Sequence, residues 1–210
     1  FKITDGPYIF RQNEEIFVDY FIDGNAYQKT FSFHELENQN LRIPALNFDQ
    51  KISFDHEFPP DIFQDVNKFF VVSDIHGQHE CFVKILLNNE IIDQNYDWIW
   101  QNGHLVILGD VFDRGPQVTE SLWLIYKLEQ QAAEAGGFVH FLLGNHELMI
   151  FQNELHYIHD KYSNVAESLE RSYSELFSEK SVLGNWLRSK PTVLKINNYL
   201  FTHAGISPIL

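Results

Sequence analysis

Four short stretches of the 210-residue chain set carboxylate, imidazole or amide groups beside glycine. They are Ser73-Asp74-Ile75-His76-Gly77, Gly109-Asp110-Val111-Phe112-Asp113-Arg114-Gly115, Gly144-Asn145-His146-Glu147 and His203-Ala204-Gly205. Hard or borderline divalent ions bind oxygen and imidazole nitrogen, and one carboxylate can bridge two ions about 3.5 to 4 Å apart. Glycine lets the backbone turn sharply, so that such ligands converge. An extended Asp-x-His would send both side chains to one side, where they could chelate one ion; Asn145 and His146, as neighbours, would point apart and take different tasks. Each block alone has a simpler reading. Asp74 to Gly77 could be an ordinary turn, Asp113-Arg114-Gly115 a loop with a solvated ion pair, and Asn145 a helix cap. Four independent coincidences are harder to accept than one metal site.

The elements that must position these groups are legible around them. Phe69 to Ser73 is a short apolar run with β-branched residues, followed by a helical pattern in which Phe82, Ile85, Leu86 and Leu87 share a face. His104 to Gly109 is a second strand. After Pro116, Val118, Leu122, Ile125 and Tyr126 recur at helical spacing until Gly136-Gly137 stops them. Phe138 to Gly144 is a third strand and Tyr199 to His203 a fourth. Alternating strands and helices predict right-handed crossovers, with functional groups at the strand C-terminal ends. All four blocks fall there.

Residues 1–68 have a different texture and read as a β-rich accessory region. Glu15 to Ile22 and Ala26 to Phe33 are strand-like runs joined at Asp23-Gly24, and Glu35 to Lys68 reads mostly as loop with Pro44, Pro59 and Pro60. Residues 69–210 carry the chemistry.

Twenty-nine acidic residues against fifteen basic ones give a net charge of -14, and no basic run stands out, which argues against a nucleic-acid partner. An acidic protein that handles an anion needs local positive charge, from an arginine or a metal ion. One cysteine, Cys81, excludes an intramolecular disulfide and any cysteine-based zinc ribbon; its place suggests a packed helix residue. No apolar run reaches the roughly 18 residues that span a bilayer. The compartment, cytoplasmic or periplasmic, is left open.

With the blocks standing as SDIHG, GDVFDRG, GNHE and HAG, the chain resembles the phosphoprotein phosphatase branch of the calcineurin-like metallophosphoesterases, whose blocks are GDxHG, GDxVDRG, GNHE and HGG. LGNWLRSKPTVLKINNYLFTHAGISP looks most like the bacterial Shewanella-like phosphatases. The resemblance covers about residues 69 to 210. It implies an α/β (α+β) fold, with a central β-sandwich flanked by helices and a β-rich unit before it. It further implies two divalent ions (Mn, Fe or Zn), with Asp74 and His76 on the first, Asp110 bridging, and Asn145 and His203 on the second. His146 would be the general acid, Asp113 its orienting partner, and Arg114 the phosphate clamp, with Asn145 also facing substrate. The reaction implied is attack of a metal-bridging hydroxide on a phosphomonoester of a phosphoprotein or phosphopeptide, phosphotyrosine as well as phosphoserine or phosphothreonine.

Ser73 replaces the usual glycine, Phe112 a valine and Ala204 a glycine. In this family another histidine and a second arginine come from later in the chain, so the site reads as lacking a C-terminal segment. His156 and His159 are better read as surface residues than as substitutes, and His79, His104 and His140 as structural or exposed. Hydrolysis of dinucleoside polyphosphates is the alternative reaction, and a catalytically inactive metal-binding fragment the alternative to an enzyme. Nuclease activity fits poorly with the acidic balance.

Overall fold

The computed structural model describes residues 3–36 and 40–207. Three antiparallel strands come first, β1 (Asp5–Gln12), β2 (Glu15–Ile22) and β3 (Asn25–Ser32), in sheet order β1-β2-β3. The Asp23-Gly24 turn predicted from sequence joins the last two, with Asp23 and Gly24 both at positive φ. A short helix α1 (Phe33–Leu36) follows, then a hairpin of β4 (Asn40–Ile43) and β5 (Phe48–Lys51), and β6 (Ile62–Phe63). The stretch expected to be mostly loop therefore holds a hairpin. Its apolar side chains Leu41, Ile43 and Phe48 alternate with exposed polar ones over only four residues per strand, too short a period to stand out.

Next comes the alternating unit: β7 (Phe69–Val72), α2 (His79–Asn88), β8 (His104–Ile107), α3 (Val118–Glu134) and β9 (Phe138–Phe141). The strands pair in parallel in the order β7-β8-β9, as the alternation predicts. Four helices follow, α4 (Asn145–Phe151), α5 (Asp160–Ser168), α6 (Tyr173–Leu176) and α7 (Val182–Arg188), and then the hairpin β10 (Val193–Ile196) and β11 (Tyr199–Thr202). β10 also pairs in parallel with β6, giving a second sheet of order β11-β10-β6. The strand that leads to His203 thus belongs to this sheet and not to the parallel one.

The two sheets face each other across a small apolar layer. Val106 and Leu142 from one side meet Leu194 and Ile196 from the other, with Phe63, Phe69 and Phe201 around them. This is the expected sandwich. The larger core lies on the opposite face of the parallel sheet, where every residue of α3 from Val118 to Leu128 is buried. Helical spacing predicts one buried face; the other is covered by the N-terminal sheet, where Trp123 Nε1 donates to the Pro7 carbonyl at 3.1 Å and Tyr8 Oη lies 3.1 Å from Thr119 Oγ1. Burying a large apolar side chain stabilises by roughly 1.5–3 kcal/mol, so Trp123, Trp186 and Phe177 hold these layers firmly beneath the strand ends. Cys81, expected to be packed, is exposed: α2 turns Phe82, Val83 and Leu86 inward, and Cys81 falls on its outer side.

Candidate metal centre

The four blocks meet at one place. Asp74 follows β7, Asp110 follows β8, Asn145 opens α4 after β9, and His203 follows β11. Asp74, His76, Asp110, Asp113 and Arg114 all adopt positive φ, between 45° and 70°. Asp74 to His76 is therefore not the extended run expected from sequence, but a tight left-handed turn. Side chains other than glycine rarely hold that conformation unless their surroundings force it, and such residues cluster at functional sites. Here the forcing contacts are visible. His76 N–H donates to the Asp110 carbonyl and Gly77 N–H to the Val111 carbonyl, so the first two blocks are laced together. Gly77 and Gly115 pass so closely that a Cβ at Gly77 would lie 2.5 Å from the Gly115 carbonyl oxygen.

Glu147 locks the second block to the third. Its carboxylate, fully buried, accepts from the backbone N–H of Asp110 at 2.9 Å, Val111 at 2.8 Å, Phe112 at 3.4 Å and Gly144 at 2.7 Å. Burial pushes its pKa up, and the backbone donors oppose that. Gly144, not Asn145, is the residue before the helix, and the Glu147 carboxylate does the capping; Asn145 is thereby free to project from the first turn. Sequence reading missed Glu147 as a functional residue although it completes the Gly-Asn-His-Glu block.

The histidines are oriented by their outer nitrogens. His76 Nδ1 lies 2.7 Å from the Phe112 carbonyl oxygen and His203 Nδ1 lies 2.5 Å from that of Leu108. A carbonyl only accepts, so each Nδ1 carries the proton and donates it, which leaves the Nε2 lone pair facing inward. His76 Nε2 is buried without a hydrogen-bond partner, 3.8 Å from Asp74 Oδ1 and 3.7 Å from Asp110 Oδ2. His203 Nε2 lies 3.3 Å from Asp110 Oδ2 and 3.1 Å from Asn145 Oδ1. Lone pairs aimed at carboxylate and amide oxygens repel one another unless a cation lies among them. The donor set of two imidazoles, two carboxylates and one amide oxygen fits a borderline divalent ion, with no thiolate to favour a soft one.

Among the described residues, two clusters have ligating atoms within 4.8 Å of one another: His76, Asp110 and His146, and Asp74, Asp110 and His203. Asp110 stands in both. His146 is set apart from the other two histidines by its outer partner, since its Nδ1 meets the carboxylate of Asp113 at 2.5 Å while Nε2 lies 3.8 Å from Asp110 Oδ2. Burial pushes the Asp113 carboxyl up, and the His146 contact opposes that.

The floor of the site is buried (His76, Asp110, Asp113, His146) and its rim exposed (Asp74, Asn145, Arg114). Arg114 donates its backbone N–H to the Tyr157 carbonyl at 2.9 Å. The Tyr157 ring, 53% exposed, sits 5.5 Å from the His146 ring and was not anticipated; an aromatic in an irregular loop carries no periodic signal. Phe112, which stands where the family has valine, is fully buried and packs edge-on against Phe177, 4.8 Å away. His156 and His159 stand in neither cluster, and His159 caps α5. His79, His104 and His140 are buried, the last two joined at 2.9 Å.

A sandwich with carboxylates, imidazoles and an amide gathered at its strand ends defines a class, and the chain belongs to it: residues 67–210 match the calcineurin-like phosphoesterase family. Among curated relatives it is 30% identical over 148 residues to the Shewanella-like protein phosphatase 1 of Plasmodium berghei, covering 68% of this chain and 40% of that protein. It is also 31% identical over 145 residues to a symmetrical bis(5'-nucleosyl)-tetraphosphatase of Buchnera aphidicola, covering 66% of this chain and 44% of that one. The solved structure of the cold-active protein-tyrosine phosphatase of a psychrophilic Shewanella superposes with a TM-score of 0.89 at 35% identity, over 99% of this chain and 62% of that one. No helix among the described residues is long and apolar enough to cross a membrane.

Proposed function

We propose that this chain carries the catalytic face of a metal-dependent phosphoprotein phosphatase that hydrolyses phosphomonoesters, phosphotyrosine among them. The observation that carries the reading is the position of Asp110 between two imidazoles, its Oδ2 3.7 Å from His76 Nε2 and 3.3 Å from His203 Nε2, with Asp113 bonded to His146 and the exposed Arg114 next to Asp113 in the chain. Asp74, His76 and Asp110 would hold one divalent ion, and Asp110, Asn145 and His203 a second. Such ions supply Lewis acidity toward a phosphoryl group and lower the pKa of a bound water.

The remaining tasks fall to side chains. Arg114 neutralises the phosphate oxygens by charge-assisted hydrogen bonds, which is how a protein of net charge -14 can hold an anion. His146, its ring fixed through Nδ1 by Asp113, delivers a proton from Nε2 to the departing oxygen. Tyr157 offers an aromatic face beside that departing group, which favours an aryl phosphate. The superposition with a protein-tyrosine phosphatase supports the same choice.

The test compares turnover of a phosphotyrosine peptide, a phosphoserine peptide and diadenosine tetraphosphate by the Mn2+-supplied chain. The phosphotyrosine peptide is expected to have the highest kcat/KM. Faster cleavage of the dinucleotide would move the reading to the tetraphosphatases.

A further inference from the structure

Beneath the Arg114 turn lies a buried charged cluster that the proposed chemistry does not use. Lys161 of α5 is 8% exposed, and its Nζ sits 3.0 Å from Glu120 Oε1 of α3 and 3.4 Å from Asp5 Oδ2 of β1. Asp5 is fully buried and Glu120 nearly so. The third direction of the ammonium is spent on the loop: Nζ donates to the Pro116 carbonyl at 2.7 Å. Tyr162 Oη donates to the same carbonyl at 3.0 Å while accepting from the Val118 N–H at 2.5 Å. Pro116 is two residues from Arg114, and Gly115 between them donates to the His76 carbonyl at 2.9 Å.

An ordinary structural staple explains this cluster poorly. Buried ionisable groups are costly to desolvate, a cost that pushes the Glu120 carboxyl up to about 7, and apolar residues of similar volume would join α3, α5 and β1 at least as well. What an ammonium adds is a directed donor on one carbonyl.

We propose that Lys161 is a positioning residue. Held by Glu120 and by Asp5 of the N-terminal sheet, it fixes the Pro116 carbonyl and through it the turn that presents Arg114 to phosphate. This rests on the reading of Arg114 given above, and it assigns the N-terminal sheet a part in building the site.

The test is a double-mutant cycle read by calorimetric binding of inorganic phosphate to the Mn2+-loaded full chain. Lys161→Met is expected to weaken phosphate binding about tenfold, as misplacement of a binding group does. In an Arg114→Ala background the same change is expected to have no further effect. Because Lys161→Met leaves two carboxylates buried and unpaired, the triple variant Asp5→Asn, Glu120→Gln, Lys161→Met runs beside it, with no charge left in the cluster and only the Tyr162 hydroxyl still donating to the Pro116 carbonyl. It is expected to show the same weakening. A triple variant that binds phosphate like the parent, or a loss that persists undiminished without Arg114, would overturn the proposal. Failure of the parent chain to hydrolyse phosphopeptide while the cycle holds would sink the functional reading alone.

Discussion

His146 and Asp113, thirty-three residues apart in sequence, meet through Nδ1 and Oδ2 at 2.5 Å with both side chains buried. The contact makes Nε2 the only ring nitrogen able to serve the site. His146→Asn is expected to lower kcat by about 10² or more on an alkyl phosphate, in line with the usual worth of a positioned acid. On p-nitrophenyl phosphate, whose leaving group needs little protonation, the loss is expected to be much smaller. Asp113→Asn should show the same dependence at lower amplitude. Equal losses on both esters would remove the acid role.

Glu147 collects four backbone N–H groups with one carboxylate. Glu147→Gln keeps the volume but turns an NH2 toward donors, leaving at least one of them unpaired. A stability loss of about 2 to 3 kcal/mol is expected, within the range for buried groups stripped of a charged partner. Urea denaturation would show it as a lower midpoint at unchanged slope. A midpoint like the parent's would mean that the blocks are held by other contacts.

The convergence of the candidate residues was largely legible because their types are unusual at strand ends: Asp74, His76, Asp110, Asp113, Asn145, His146 and His203 are linked by close polar contacts at one place, with Arg114 next to Asp113 in the chain. What sequence could not carry is the set of backbone acceptors. Phe112 and Leu108 orient His76 and His203 through carbonyls, which every residue possesses. The left-handed turn at Asp74 and His76 was likewise invisible, since it is imposed by hydrogen bonds to Asp110 and Gly115. α3 was found by its period, yet the burial of its far side depends on the N-terminal sheet, more than a hundred residues earlier.

Tyr157 makes a separable contribution. Tyr157→Ala is expected to raise KM for aryl phosphates up to about tenfold, from loss of a contact of roughly 0.5 to 1.5 kcal/mol, and to leave alkyl phosphates unchanged. Steady-state kinetics on the two ester classes checks this. A rise on both would point to displacement of Arg114, whose N–H the Tyr157 carbonyl accepts.

His140 predicts part of the acid sensitivity. Burial, then the neighbouring His104, lowers its pKa to about 3. The unfolded chain, with an ordinary histidine value near 6.5, therefore binds more protons between about pH 6.5 and 3, so stability falls as pH falls through that window. His140→Phe is expected to flatten the difference in stability between pH 7 and pH 4.5 relative to the parent. Parallel stability curves for the two proteins would show that His140 does not contribute.

The most direct measurement is hydrolysis of a phosphotyrosine peptide after chelation and stepwise return of Mn2+, with bound metal counted by elemental mass spectrometry, for the parent chain and Asp110→Asn. Activity is expected to vanish on chelation and return as the ions are taken up, while Asp110→Asn holds fewer ions and stays inactive. A chelated, metal-free chain that cleaves the peptide as fast as the reloaded one would contradict the assignment of a metal centre at Asp110.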